Sequence, residues 1–233
     1  TLDNPKPISA ADLWAVLASS GSTAALVIGI FGVMAITSEY TTSAVQSSLT
    51  VNPRRGMFYA TKSVAAALFA LVAGIVGILL AAGVLWLFTR GHDITALTND
   101  QSRIIPVTLI GFPLTIVLVS LMAQGLGGMT RSTVGGVCAL IVLFMVLSSV
   151  LSITSMAINQ VEWLGTLSYL TPDTAMNHFL GAGIESSSQS TLAAAVKPNY
   201  WIPDWWQSGL ILLAWAAAAW AGGLIVTKKA DIK

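Results

Sequence analysis

Charge is what this sequence has least of. Only 9% of its 233 residues are Asp, Glu, Lys or Arg, whereas 55% are hydrophobic, and mean hydropathy is +0.78. A water-soluble domain usually carries about 25% charge, and a chain this poor in it cannot clothe a water-facing surface. The net charge of +1 is too small to suggest a nucleic-acid partner. A single cysteine, Cys138, excludes an intrachain disulfide framework; within its apolar run it reads as a small packing residue. The opening stretch TLDNPKPISAADLW has no basic region followed by an apolar one, so it does not read as a secretory signal. No GxxxxGK[ST] phosphate loop occurs; Gly125, Gly127 and Gly128 cluster without the Lys-Ser/Thr that would follow.

What is present is long apolar runs, and the gaps between charges delimit them. No charged residue lies between Asp12 and Glu39, Lys62 and Arg90, Arg103 and Arg131, Arg131 and Glu162, or Asp204 and Lys228. A spanning helix needs about 20 apolar residues to cross about 30 Å of hydrocarbon. Each gap holds one such helix and none holds two. Because lipid offers the backbone no hydrogen-bond partners, the runs must be helices. The expected fold class is therefore an all-α polytopic membrane protein: residues 1–233 form one transmembrane domain with spans at 13–38, 63–88, 104–128, 133–158 and 205–227.

The basic residues orient it. With the 39–62 loop cytoplasmic, Arg54, Arg55, Lys62, Arg131, Lys228, Lys229 and Lys233 lie inside, against Lys6, Arg90, Arg103 and Lys197 outside. Cytoplasmic loops carry the excess of Lys and Arg, and Trp collects at the interfaces. Trp14, Trp86, Trp163, Trp201, Trp205 and Trp206 all fall near the outer boundary in this arrangement. The C-terminus is then cytoplasmic and the N-terminus external, and an external start without a signal implies a further span upstream.

Two loops have content. Residues 39–62 read EYTTSAVQSSLTVNPRRGMFYATK, in which Val45 and Leu49 give one apolar edge to a short helix expected between Tyr40 and Pro53. Residues 159–204 are external, mixed in composition and too broken by Gly and Pro to span; short helices at or dipping into the outer leaflet are expected there. His178 with Asp173 and Glu185 can be drawn as a metal site, but the spacing follows no metal-ligand pattern, so no metal is expected. No acid or base falls in mid-span, which argues against an ion-coupled carrier and against an intramembrane hydrolase.

The segment GVMAITSEYTTSAVQSSLTVNPRRGMFYATKSVAAAL resembles the permease subunits of the ABC type-2 exporter family. The matching positions are Glu39, Thr41, Thr42, Leu49, Pro53, Arg54, Arg55 and Lys62; where the family often has Gly-Thr after the Glu, this chain has Thr42-Ser43. The ending AGGLIVTKKADIK is similar to the family's last span and basic tail. The resemblance, most like actinobacterial versions, implies six spans in a full subunit. It also implies a bacterial inner (plasma) membrane location and two permease subunits, identical or homologous, on two cytoplasmic ATPases that bind ATP and Mg. The chain itself would then hold no cofactor and no catalytic residue. Residues 39–62 would hold the coupling helix, with Glu39, Thr41, Thr42, Val45, Leu49, Arg54 and Arg55 facing the ATPase. Without a mid-span charge the expected cargo is hydrophobic or amphipathic: a drug, a peptide antibiotic or a lipid.

Ser132, Gly135, Gly136 and Ala139 are small residues at helical spacing and allow close helix approach, either within the subunit or at a dimer seam. Outside the exporter reading stand an ion-driven carrier or channel subunit, and a membrane anchor with no transport role.

Overall fold

The computed structural model describes residues 8–41, 55–91, 93–99, 101–157, 162–184 and 201–229. Five helical segments are long and apolar enough to cross a membrane, so the chain is an all-α, multi-pass membrane protein. They are α1 (Ala10–Thr41), α2 (Arg55–Thr89), α3 (Ile104–Thr130), a composite of α4 (Thr133–Ile141) and α5 (Leu147–Ala157), and α8 (Trp205–Lys229). A single π-helical turn, Val142–Val146, joins α4 to α5 without breaking the span. Two short helices, α6 (Glu162–Tyr169) and α7 (Pro172–Leu180), lie between α5 and α8. Strand β1 (Ile8–Ser9) pairs in parallel with β2 (Ile94–Thr95), tying the start of α1 to the loop after α2.

The helices run past the apolar stretches that predict them. Once wound, a helix can continue beyond the apolar run, and α1 extends to Thr41. Tyr40 and Thr41 belong to the last turn of α1, and residues 42–54, the rest of the stretch in which the short helix is expected, lie outside the described residues. Among the remaining coupling residues, Arg55 opens α2, and Thr42, Val45, Leu49 and Arg54 lie outside the described residues.

Helix α3 is the centre. Half of its most apolar window is buried (50%), against 17% for α2, and α1, α2, α4, α7 and α8 all pack on it. Small residues let them close in. A Cβ on Gly32 of α1 would stand 2.6 Å from the Ser120 carbonyl oxygen of α3, and one on Gly223 of α8 would stand 2.8 Å from that of Gly125. Without a hydrophobic force between helices in lipid, such backbone proximity is what holds them. Helix α3 ends at Arg131, in the left-handed conformation (φ 51°), and Ser132 then caps α4 by accepting the Gly135 N–H.

One end of the bundle carries the starts of α1, α3 and α8 and most of the tryptophans; the other carries Arg131, Lys228 and Lys229. Helices α6 and α7 form a hairpin that enters from the tryptophan end and does not cross. Its turn is deep. The Leu170 carbonyl accepts from Trp215 Nε1 at 2.8 Å, and Ser148 Oγ donates to Thr171 Oγ1 at 3.0 Å. Trp215 lies about 15 Å along α8 from its start, and Ser148 about 14 Å before the end of α5, at 1.5 Å per residue. Both place the turn near half the thickness of a hydrocarbon core.

Candidate functional site

A hairpin at that depth must satisfy its own backbone. The spans do part of this and the hairpin itself the rest. Beside the Trp215 bond, Thr108 Oγ1 of α3 donates to the Leu180 carbonyl at 2.9 Å, and Thr171 Oγ1 donates to the Ser168 carbonyl at 2.8 Å. Thr108, Ser148 and Trp215, unassigned in the apolar runs, are thus the partners of α7 and its turn. A Cβ on Gly21 would meet Leu180, and one on Gly111 would meet Phe179, at 2.6 and 2.8 Å, so α7 is wedged against α1 and α3.

The hairpin also brings an acid to a depth where the linear sequence shows none. Asp173, in the first turn of α7, accepts the Ser22 hydroxyl proton at Oδ1 over 2.7 Å. Ser22 lies about 14 Å past Leu13, where the charge-free part of α1 begins, at 1.5 Å per residue. Asn177, one turn on, donates Nδ2 to Ser22 Oγ at 2.8 Å and to the Asp173 carbonyl at 3.0 Å. Burial pushes the Asp173 carboxyl above its ordinary value of 3.8, partly offset by the Ser22 and Asn177 hydrogen bonds. A first-turn acid also sits well at the positive end of its helix, a role that many such residues have and nothing more. Next to this trio is a cavity of about 240 Å³ lined by Tyr169, Thr174, Asn177, His178, Ile184 and Ile202. His178 Nδ1 lies 3.0 Å from Ser208 Oγ, and its ring meets Tyr169 edge-on at 5.6 Å.

The hydrophobic spans give no warning of this. Asp173 counts as external by sequence because its segment cannot cross; that it turns inward depends on partners far along the chain. No group of three His, Cys, Asp or Glu stands together among the described residues, and Glu185, the third member of the set drawn from the sequence, lies outside them.

The opposite end holds what the structure describes of the 39–62 loop. Its flanks are both clamped. On one side Thr133 Oγ1 donates to Thr37 Oγ1 at 2.8 Å, joining the end of α1 to α4. On the other, Tyr59 of α2 is buried beside Gly128 and Gly223 and donates to the Trp220 carbonyl at 3.3 Å. Trp220 Nε1 returns a bond to Ser63 Oγ at 2.8 Å. Lys62 is half-buried one turn along.

The small-residue set divides. Gly136 faces inward: a Cβ there would stand 2.6 Å from Val33 Cγ1 and 3.0 Å from Gly127 Cα, so it packs α4 on α1 and α3. Ser132 is the exposed cap, and Gly135 and Ala139 are half-buried at the edge of that contact. The outward face of the same span is instead Val134, Cys138, Ile141, Val142 and Met145.

Comparison of the chain with protein-family models, with curated proteins and with solved structures returns no match. The class defined by the fold is that of a multi-pass α-helical membrane protein, and its function has to be argued from the residues.

Proposed function

We infer that the chain is the membrane-spanning subunit of an ATP-driven type-2 ABC exporter. It works with separate cytoplasmic ATPase subunits, which hold ATP and Mg, and with a second permease subunit, in the bacterial inner membrane with the basic end in the cytoplasm. It carries no catalytic residue; its task is to move a hydrophobic or amphipathic cargo. The observation that carries this reading is the motif from Glu39 to Lys62, together with the anchoring of both its flanks. An ATPase that closes on ATP must push on something rigid. Force on this loop passes through Thr37 into α4 and through Tyr59 into α3 and α8.

The test is one set of variants read three ways: co-purification with the ATPase, hydrolysis rate and efflux. An apolar edge filling a groove on a partner is intolerant of charge. Leu49→Asp is expected to abolish ATPase co-purification, and Glu39→Ala or Arg54→Ala to leave the complex assembled but hydrolysing without efflux. Normal efflux from Leu49→Asp and Glu39→Ala combined removes the coupling role.

An ion-driven carrier is the second reading, and Asp173 is the observation in its favour, since acids inside a membrane protein commonly serve ion relays. It predicts transport driven by an ion gradient with no ATPase bound, lost in Asp173→Asn.

A further inference from the structure

The hydrogen bonds around Asp173 have a direction. Ser22 has one hydroxyl proton, and Asp173 Oδ1 takes it at 2.7 Å; Asn177 Oδ1 is farther away, at 3.2 Å. The Asp173 backbone oxygen can only accept, so Asn177 must turn its NH₂ toward it, and both amide protons are then committed, one there and one to Ser22 Oγ. What Asn177 has left to offer the neighbouring cavity is its carbonyl oxygen, an acceptor. Behind that acceptor stands a carboxylate whose Oδ2 takes no hydrogen bond, and which meets no cation among the described residues. The positive end of α7 offsets about half an elementary charge and leaves the rest. The cavity, about 240 Å³, is many times the size of a bare ion, and Tyr169, Ile184 and Ile202 give it apolar walls.

We propose that the cavity between the hairpin and the start of α8 binds a primary ammonium group carried on a small apolar body, with Asn177 Oδ1 accepting its N–H and Asp173 supplying the countercharge. The apolar walls take the body of the ligand. If the export reading holds, this deepens it: the cargo class becomes a cationic amphiphile, recognised at the tryptophan end of the bundle. Binding to the permease alone needs no ATPase, so failure of this site leaves the export reading standing, and failure of export leaves the site standing.

The probes are benzylammonium and its neutral counterpart benzyl alcohol, titrated calorimetrically into the full chain in phosphatidylcholine nanodiscs. Benzylammonium is expected to bind at least about tenfold more tightly than the alcohol, since truncating one partner of a buried charge pair costs that much or more. Asp173→Asn should remove this preference and leave the alcohol unchanged. Thr174→Phe fills the cavity from its wall without touching the Asp173–Ser22–Asn177 bonds, and should block both probes; it carries the test by itself should Asp173→Asn fail to fold. Equal affinity for amine and alcohol, a full amine preference in Asp173→Asn, or unaltered binding in folded Thr174→Phe overturns the proposal.

Discussion

Single side chains in this protein are costly where they are polar and sealed from partners. Gln124, in α3, is fully buried, and neither its Oε1 nor its Nε2 has a hydrogen-bond partner among the described residues. Leaving a buried polar group unpaired costs about 1–3 kcal/mol, whereas an apolar group of the same shape costs nothing of the kind. Gln124→Met should therefore raise the thermal unfolding midpoint in detergent; a fall would show that the amide is bound to something essential. Asp173 is the second case. Its folded carboxyl binds a proton more tightly than the unfolded one, whose value is 3.8. The folded state is then favoured below that pH, and the advantage is lost as pH rises from 3.8 through the folded value. Asp173→Asn has nothing to ionise. Its unfolding midpoint should exceed that of the wild type at neutral pH, with the difference closing as pH falls through the folded value toward 3.8; a difference independent of pH would assign the effect to packing.

The hairpin depends at the scale of its elements on bonds from helices that do not belong to it. Helices α6 and α7 have 8 and 9 residues, too short to be stable in water by themselves. The turn is held by Trp215 and Ser148, and the far end of α7 by Thr108. Trp215→Phe keeps the ring and removes the donor to Leu170, a loss of about 1 kcal/mol for one such bond. Amide exchange across residues 165–175 should quicken while α3 is unaffected. Protection unchanged in that variant would mean that packing alone holds the turn. The π-helical turn at Val142–Val146 is also an element-scale feature: it re-phases the faces of α4 and α5, so Gly136 meets α1 while Ser148 reaches the hairpin.

The whole molecule leaves one side of α2 and of the α4–α5 span apolar and uncovered, as lipid or a second subunit requires. Because Gly136 is committed inside, a seam between subunits on α4 has to use the opposite face, where the free Cys138 lies exposed. In a homodimer joined there, mild oxidation of native membranes should link two chains through Cys138, and Cys138→Ser should abolish the band. A heterodimer, or a seam on α2, gives no such band.

The spans were legible because a gap without charge of about 20 residues has one physical meaning in lipid, and the starts of α3 and α8 follow directly from Arg103 and Asp204. The helical run of small residues Ser132, Gly135, Gly136 and Ala139 was legible as well, but not its division. Periodicity says which residues share a face and is silent on which neighbour that face meets. The path of residues 162–184 was less legible still. No local pattern in VEWLGTLSYL or AMNHFLGAGI marks them as entering the bundle, since the Leu170 and Leu180 carbonyls are met by Trp215 and Thr108 and the Thr171 hydroxyl by Ser148, donors remote in sequence. The chain alone thus determined the solvent, the number of spans and the charge asymmetry of the two ends, because transfer into lipid is a property of each segment by itself. Only tertiary packing decided the depth of Asp173, the inward face of Gly136 and the burial of Tyr59, because each depends on a distance between residues that sequence does not contain.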